Sequence, residues 1–285
     1  LTHRFALSST GATEADSLHQ LCAQGADKLA EQRNVDALAE ARSTVSAATP
    51  SDILFTSGTT GAPKGVITHH GQNIQAFTVF AETWGIEPDD RYLIINPFFH
   101  SFGYKAGWLA ALIHGARVYP MPVFDVPAVV AAIEQHRITI MPGPPTLFQS
   151  LLLDKNLDVT RLKSLRKATT GAATIPKQLI VDMQEILGID TVLTAYGLSE
   201  SCGLATICRQ GDDPALIAST SGRAIPGIEV AVMDTQGQLL KPGESGEIVI
   251  RGFNVMAGYL DNPEATAEAI DGDGWLHTGD IGSMD

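Results

Sequence analysis

Short apolar runs alternate with amphipathic segments through most of this chain, and this pattern restricts the possible folds strongly. The runs lie at residues 53–55, 92–96, 138–141, 167–169 and 191–194. The clearest helical segment, residues 175–187, ends at Gly188 and places five apolar residues on one face: Leu179, Ile180, Met183, Ile186 and Leu187. Such alternation predicts an α/β fold with a mostly parallel, helix-covered sheet of five strands.

Before the first apolar run, the sequence has the spacing and composition of helices. Residues 35–45 are Ala-rich, and residues 17–31 carry apolar side chains at helical spacing: Leu18, Leu21, Cys22 and Leu29. We therefore expect a helical lead-in over residues 1–50.

After Gly222, alternating apolar and polar residues replace the helical spacing. Candidate strands lie at 228–233, 239–240 and 247–250, with turn signals between them. This pattern predicts a small antiparallel, barrel-like β subdomain over residues 222–285, which follows an α/β subdomain over residues 51–221.

Composition limits the function. With 32 acidic and 19 basic residues among 285, the chain has a formal charge of −13, which disfavours binding to nucleic acid and to anionic membranes. We expect no membrane span, because no apolar run reaches about 18 residues. We expect no signal peptide, because the first thirty residues lack a basic region followed by an apolar core and a cleavage site. The three cysteines, Cys22, Cys202 and Cys208, form no CxxC pair, so we expect a reducing, cytoplasmic location.

Loops rich in Gly, Pro, Ser, Thr or titratable residues follow all five runs directly. They lie at residues 56–65, 97–103, 142–145, 170–174 and 196–200. In open α/β sheets, ligands bind beyond the carboxyl ends of the strands. The five loops are therefore expected to meet at one cleft.

The first loop has the chemistry of a polyphosphate site. Its glycines allow close backbone approach, its hydroxyl and N–H groups donate to phosphate oxygens, and Lys64 adds a positive charge. It is not a Walker A loop, because Pro63 precedes Lys64 where that motif requires glycine.

Residues 55–65 resemble the [FY]TSGTTGxPKG signature of the adenylate-forming superfamily, which includes acyl-CoA synthetases, aryl-CoA ligases, firefly luciferase and nonribosomal peptide adenylation domains. Further matches follow in the family's order at residues 97–100, 170–173, 196–200, 246–266 and 275–280. This resemblance covers the chain from about Asp52 to the end. Within it, residues 92–105 and 142–146 look most like actinobacterial CoA ligases for fatty acids and steroid-ring propionates.

The resemblance implies a site for ATP or AMP. Glu200 would be the Mg²⁺ ligand, Asp280 would bind the ribose hydroxyls, and Tyr196 would stack on the adenine. The nucleotide-binding residues implied are Thr56, Ser57, Gly58, Thr59, Thr60, Gly61, Lys64, Gly171, Ala172, Ala173, Ala195, Tyr196, Gly197, Ser199 and Asp280.

The resemblance also implies an acyl site. His100 would lie near the substrate carboxylate, where amino-acid-activating relatives carry an Asp, so an amino-acid substrate is disfavoured. The catalytic residues implied are Lys64, His100 and Glu200. The substrate-binding residues implied are Phe99, His100, Ser101, Phe102, Gly103, Tyr104, Gly171 and Leu198. For Lys105 we expect an exposed helix position, with contact to a polar group of the acid as the alternative.

The implied reaction joins a carboxylic acid to ATP, giving acyl-AMP and pyrophosphate, and then to coenzyme A, giving acyl-CoA and AMP. Positioning and charge neutralisation carry such chemistry. Two alternatives stay open: a module that loads the acyl group onto a carrier protein, and a non-catalytic domain that binds nucleotide or acyl ligand.

Members of the superfamily have a longer region before the phosphate loop. They also continue past the TGD motif, here Thr278 to Asp280, into a C-terminal lid domain with a lysine that assists adenylation. We therefore expect this chain to be a piece of a longer polypeptide, and to be poorly active alone.

Overall fold

The computed structural model describes residues 5–6, 16–17, 32–56, 63–171 and 175–285. The chain divides into two compact units, Leu1–Thr49 and Pro50–Asp285. In the first unit, strand β1 (Phe5–Ala6) pairs in parallel with β2 (Asp16–Ser17), and helix α1 covers Gln32–Ser43. The four apolar residues that predict an earlier helix lie outside the described residues: Leu18, Leu21, Cys22 and Leu29.

The second unit contains the remaining described strands and helices. Its strands are β3 (Pro50–Thr56), β4 (Lys64–His69), β5 (Arg91–Ile94), β6 (Arg117–Pro120), β7 (Ile140–Pro142), β8 (Lys167–Thr170), β9 (Thr191–Tyr196), β10 (Thr206–Ile207), β11 (Arg223–Ala224), β12 (Ile228–Met233), β13 (Ser245–Gly252), β14 (Gly258–Tyr259) and β15 (Leu276–Ser283). Its α-helices are α2 (His70–Trp84), α3 (Ser101–Gly103), α4 (Ala110–Ile113), α5 (Val126–His136), α6 (Pro145–Leu153), α7 (Lys177–Glu185), α8 (Pro214–Ser219) and α9 (Pro263–Ala269). A π-helix (Tyr104–Leu109) joins α3 to α4, and 3₁₀ turns cover Val159–Leu162 and Ser199–Ser201.

Seven strands form the central sheet, in the order β11-β10-β9-β8-β7-β5-β6. Strands β5 to β9 are parallel, whereas β10 and β11 are each antiparallel to the preceding strand. Helices connect the successive parallel strands, so the α/β prediction is confirmed. Because β5 lies between β6 and β7, the strand order reverses there and leaves a crevice at the carboxyl ends of the strands.

The prediction that residues 53–55 form the first parallel strand is wrong. They belong to β3, which pairs antiparallel with β4 in a separate sheet of order β14-β4-β3. The link between β3 and β4 is only residues 57–63, whereas a parallel crossover needs a dozen or more residues. The fifth parallel strand is β6, which contains no apolar run long enough to predict a strand because it begins at Arg117 and ends at Pro120.

The chain after Gly222 forms a second antiparallel sheet, in the order β12-β13-β15. The candidate strand at 239–240 is reduced to a single bridge between Met233 and Leu239. Strand β14 instead pairs with β4, so the segment beyond residue 222 also completes the sheet that contains β3. The subdomain limits at residues 50, 221 and 222 stay predictions.

Helices cover the central sheet through narrow apolar faces. In α7 and the turn after it, Leu179, Ile180, Met183 and Leu187 are buried as predicted. The prediction for Ile186 is wrong: this side chain, at the C-cap of α7, is 51% exposed, and Leu187 next to it packs into the core instead. None of the described helices is long and apolar enough to cross a membrane.

Helix α2 carries the aromatic part of the core. Phe77, Phe80 and Trp84 follow one another edge to face, and Trp84 meets Tyr92 of β5 with ring centroids 5.6 Å apart. Gly85 ends the helix in the left-handed conformation at φ 70°, which glycine adopts at low cost. The buried rings hold α2 against β5 and against the loops that follow the sheet.

Candidate active site

A cavity of about 140 Å³ lies where the loops after three parallel strands meet. The loop after β5 contributes His100, Ser101 and Phe102; β8 and the residue after it contribute Thr169, Thr170 and Gly171; β9 and the residue after it contribute Ala195, Tyr196 and Gly197. The remaining lining residues are Phe77, Phe80, Ala106, Gly203 and Leu204. Three of the five loops expected to converge therefore do so.

The other two loops, 142–145 and 56–65, differ. Pro144, from the loop after β7, lines another cavity, of about 310 Å³, at the crevice between β5 and β7, together with Pro97. The first loop has six residues, 57–62, outside the described part of the chain. The predicted nucleotide contacts that lie outside the described residues are Ser57, Gly58, Thr59, Thr60, Gly61, Ala172 and Ala173. Thr56 lies at the described start of that loop, with its hydroxyl 3.5 Å from the carbonyl oxygen of Lys64.

His100 is the N-cap residue of helix α3, and a hydrogen bond orients its imidazole ring. Its Nδ1 accepts a 3.1 Å hydrogen bond from the backbone N–H of Phe102, as an N-cap residue does. The neutral imidazole then carries its proton on Nε2, the nitrogen that is left to donate. His100 is exposed and lines the cavity, so this donor is available to a ligand.

Three residues of the aromatic segment, Phe99, Gly103 and Tyr104, do not line this cavity. Phe99 is 83% exposed, and Tyr104 stacks on Trp108 with ring centroids 4.7 Å apart. Gly103 packs under the carbonyl oxygens of Asn96 and Pro97, where a Cβ would collide. Leu198 is half-buried outside the cavity lining. Substrate contact by Phe99, Gly103, Tyr104 and Leu198 stays a prediction.

Lys64 and Glu200 meet at Tyr259. The Lys64 ammonium lies 5.0 Å from the centroid of the Tyr259 ring, and the Tyr259 hydroxyl donates a 2.8 Å hydrogen bond to Glu200 Oε1. The backbone also contributes, because Met256 N–H donates to the Glu200 carbonyl oxygen at 2.8 Å. Burial and the bond to Glu200 raise the pKa of Tyr259, so its hydroxyl stays protonated. Ser199, next to Glu200, opens the 3₁₀ turn.

Tyr196 and Asp280 also contact each other. The Tyr196 hydroxyl donates a 2.6 Å hydrogen bond to Asp280 Oδ2, and burial followed by this bond raises the pKa of Tyr196. The loop that contains Asp280 is held by Glu247, whose Oε1 accepts from Gly279 N–H and whose Oε2 lies 2.9 Å from His277 Nδ1. Asp280 is exposed, so its carboxylate can accept further donors.

Two hydroxyls in the cavity lining lack partners. Thr169 and Thr170 are each 1% exposed, and their Oγ1 atoms make no hydrogen bond within the described residues. A buried hydroxyl without a partner costs about 1–3 kcal/mol. These two hydroxyls therefore cost stability at the carboxyl end of β8.

The sequence does not predict that four residues lie in or beside this site. Phe77 and Phe80 look like ordinary core residues of an amphipathic helix, and Tyr259 is one tyrosine in a longer family-like segment. Lys105 contradicts its expected exposure: it is 0% exposed, because Asp52 of β3 lies 3.1 Å from its ammonium. The one sequence signal for this burial is Asp52, a charged residue directly before the apolar run 53–55, which could indicate a buried ion pair with a lysine.

These features define an open α/β protein with a cavity beyond the carboxyl ends of its parallel strands, and the comparisons identify its family. A family model described as AMP-binding enzyme matches residues 6–260, so the chain belongs to this family. The chain is 51% identical over 253 residues to a 3-[(3aS,4S,7aS)-7a-methyl-1,5-dioxo-octahydro-1H-inden-4-yl]propanoyl:CoA ligase of Rhodococcus jostii, covering 88% of this chain and 47% of that protein.

A ligase of the same description from Mycobacterium tuberculosis is 52% identical over 251 residues, covering 88% of this chain and 48% of that protein. Among solved structures, ATP-bound MatB of Rhodopseudomonas palustris superposes with a TM-score of 0.77 at 28% identity, covering 84% of this chain and 47% of that chain. The chain thus spans about half the length of the curated relatives it matches.

Proposed function

We propose that this protein is an ATP- and Mg²⁺-dependent acid:CoA ligase, which activates a carboxylic acid as its acyl-adenylate and then transfers the acyl group to coenzyme A. One observation carries the proposal: a single cavity is lined by His100, from the acyl side, and by Gly171 and Tyr196, from the nucleotide side. Adenylation requires this juxtaposition, because the carboxylate must reach the α-phosphorus of ATP.

Tyr196 and Asp280 would hold the nucleoside. The ring of Tyr196 lines the cavity while its hydroxyl orients the Asp280 carboxylate, which would accept hydrogen bonds from the ribose hydroxyls. His100, with Nε2 free to donate, would contact the substrate carboxylate and stabilise charge that develops during transfer.

Lys64 and Glu200 would serve the phosphates. Lys64 would neutralise phosphate charge. The Glu200 carboxylate suits Mg²⁺, because its Oε2 makes no hydrogen bond to any described residue and Mg²⁺ is commonly bound by one or two carboxylates together with substrate phosphates. When bound, Mg²⁺ would neutralise charge on the phosphate oxygens.

The acid is proposed to be a steroid-derived bicyclic propionate, with medium-chain fatty acids as the second choice. Support comes from the two relatives above 50% identity, which are named as CoA ligases of a dioxo-octahydro-indenyl propanoyl group. Phe77, Phe80 and Phe102 give the cavity apolar walls suited to a compact ring system.

The test is acid-dependent ATP consumption by the full-length protein with Mg²⁺, with and without coenzyme A. The acids are the dioxo-indenyl propanoate, decanoate and 4-coumarate, and AMP, pyrophosphate and acyl-CoA are resolved by mass spectrometry. We expect AMP and acyl-CoA to appear together for the bicyclic acid. AMP without acyl-CoA would favour the carrier-loading module, and no acid-dependent AMP with any acid would contradict both enzyme functions.

Glu200→Gln separates catalysis from passive binding. We expect at least a 100-fold loss of AMP formation, with acid binding retained, since removal of one stabilising group from an active site commonly costs about 10²–10³ in rate. Glu134→Gln is the matched control, because Glu134 is an exposed carboxylate of α5 that pairs only with Arg161 among the described residues. Equal turnover by both variants would contradict a metal-binding role for Glu200.

A further inference from the structure

We infer that Lys105 is a positioning residue of the active site, which fixes the phosphate-binding hairpin relative to the Glu200 turn. The inference rests on the proposed function, because it concerns how that site is held in shape. No family motif quoted above assigns a role to Lys105, and its side chain lies outside the cavity lining.

The Lys105 ammonium is the centre of a buried polar cluster. It lies 3.1 Å from Asp52 Oδ1 and donates a 2.9 Å hydrogen bond to Thr68 Oγ1. Thr68 in turn donates to Asp52 Oδ1 at 3.0 Å. The Lys105 side chain is fully buried and that of Asp52 is 12% exposed. A buried ammonium is tolerated only with such partners, so these contacts leave Lys105 little freedom to move.

Two further residues extend the cluster. Asn73 of α2 donates to Asp52 Oδ2 at 2.5 Å, and the Cys202 thiol donates to Asn73 Oδ1 at 2.8 Å. The Cys202 Sγ also lies 3.8 Å from the Lys105 ammonium.

The cluster joins the three segments that carry the proposed catalytic residues. Asp52 and Thr68 lie on β3 and β4, the two strands that flank the phosphate loop and Lys64. Lys105 lies on the π-helix five residues after His100. Cys202 lies two residues after Glu200. A shift of the ammonium would therefore be transmitted to Lys64, His100 and Glu200 together.

A second cluster of the same chemistry provides the contrast. Lys167 lies 2.8 Å from Asp90 Oδ2, and Thr139 donates to Asp90 Oδ1 at 2.7 Å. Asp90 immediately precedes β5 and Lys167 opens β8, so this cluster lies at the amino ends of the parallel strands. Ligands of such sheets bind at the opposite, carboxyl ends. The cluster of Lys167, Asp90 and Thr139 therefore serves the fold alone.

The experiment neutralises each cluster in the full-length protein. One variant combines Lys105→Met with Asp52→Asn, and its matched control combines Lys167→Met with Asp90→Asn. Replacement of both members of a buried ion pair often leaves stability unchanged, so thermal melting first identifies folded variants. Affinities for Mg·ATP and for AMP are then measured by isothermal titration calorimetry.

We expect the Lys105 and Asp52 variant to bind Mg·ATP at least 10-fold more weakly than the wild type. Its affinity for AMP should fall less, because AMP lacks the β- and γ-phosphates that the hairpin and Glu200 would contact. The Lys167 and Asp90 control should bind both nucleotides as the wild type does. If the first variant does not fold, Thr68→Val is measured instead, with Thr139→Val as its control. We expect an affinity for Mg·ATP about 3-fold weaker in Thr68→Val and unchanged in Thr139→Val.

Wild-type affinity for Mg·ATP in a folded Lys105 and Asp52 variant, or in Thr68→Val, would overturn the inference and leave the proposed function standing. Equal losses in the two clusters would also overturn it, because they would indicate a general effect of stability. A wild-type protein that does not bind Mg·ATP would contradict the proposed function and this inference with it.

Discussion

The hydroxyl of Tyr259 donates a 2.8 Å hydrogen bond to the carboxylate of Glu200. The two residues are 59 positions apart, and β14 brings them together by pairing with β4, whose first residue is Lys64. One aromatic ring thus separates the cation and the carboxylate proposed to contact the phosphates. Tyr259 is therefore expected to hold Glu200 in place rather than to react.

Tyr259→Phe tests this role, because it keeps the ring beside Lys64 and removes only the hydroxyl. We expect the KM for Mg·ATP to rise about 3- to 10-fold, since a hydrogen bond to a charged group contributes about 1.5–3 kcal/mol when fully formed and Glu200 is only half-buried. The raised pKa of Tyr259 keeps the hydroxyl protonated, so the effect should be constant from pH 6 to 9.

Tyr119→Phe is the control, because Tyr119 stacks on His136 at the far edge strand β6. A Tyr259→Phe enzyme with unchanged KM would mean that Glu200 needs no such support. An effect that disappears above pH 8 would mean that the hydroxyl ionises in the wild type.

Asp280→Asn should weaken AMP binding by about 10-fold or more, because each ribose hydroxyl would lose a charged acceptor worth about 1.5–3 kcal/mol. Tyr196→Phe should weaken it less, about 3-fold, because the ring remains and only the 2.6 Å bond that orients Asp280 is lost. Isothermal titration calorimetry with AMP measures both, and Asp273→Asn, a change at an exposed carboxylate, serves as control. A larger loss in Tyr196→Phe than in Asp280→Asn would reverse the proposed roles.

Periodicity was sufficient for the elements whose burial is local. The spacing of Leu179, Ile180 and Met183 located α7, and runs of apolar residues located β5, β7, β8 and β9. Ile53 and Phe55 satisfied the same criterion but belong to an exposed antiparallel hairpin, 42% and 67% exposed. An apolar run indicates that a segment tends to form a strand. Whether that strand is parallel or antiparallel to its neighbour depends on the strand with which it pairs.

Sequence motifs point to segments that line the cavity, but not to the contacts between them. The bond from Tyr196 to Asp280 and that from Tyr259 to Glu200 each join residues that the sequence presents as separate. The burial of Lys105, on the π-helix, depends on Asp52, which lies 53 positions earlier on strand β3. Such distant pairs follow from the three-dimensional arrangement, which no local spacing expresses.

Phe80→Leu should broaden the acids that the enzyme accepts. Phe80 lines the cavity, so a smaller side chain enlarges it, at a cost of about 1–2 kcal/mol in the free energy of unfolding. Trp84→Leu is the matched control, because Trp84 packs against Phe80 on the same helix but does not line the cavity. We expect kcat/KM for bulkier acids to rise relative to decanoate in Phe80→Leu only. The same shift in both variants would indicate loosened packing instead of an enlarged pocket.

The stability of the protein should fall in acid through Asp90. Burial alone would raise the pKa of this carboxyl, but hydrogen bonds from Lys167, Thr139 and the backbone of Glu87, with the charge of Lys167, lower it overall. A lowered pKa in the folded state favours the folded protein above the ordinary value of about 3.9, and that contribution is lost as the pH falls through the folded value. Urea unfolding from pH 6 to pH 2.5 measures this loss.

Asp90→Asn should lower the free energy of unfolding by about 3 kcal/mol at pH 6, because it leaves the ammonium of Lys167 without its charged partner. The further loss between pH 5 and pH 2.5 should then be smaller than in the wild type, since the group that titrates is gone. Asp89→Asn, a change at the exposed neighbour, should leave the wild-type pH dependence intact. An Asp90→Asn protein whose stability falls as steeply with acid as the wild type would assign that loss to other carboxylates.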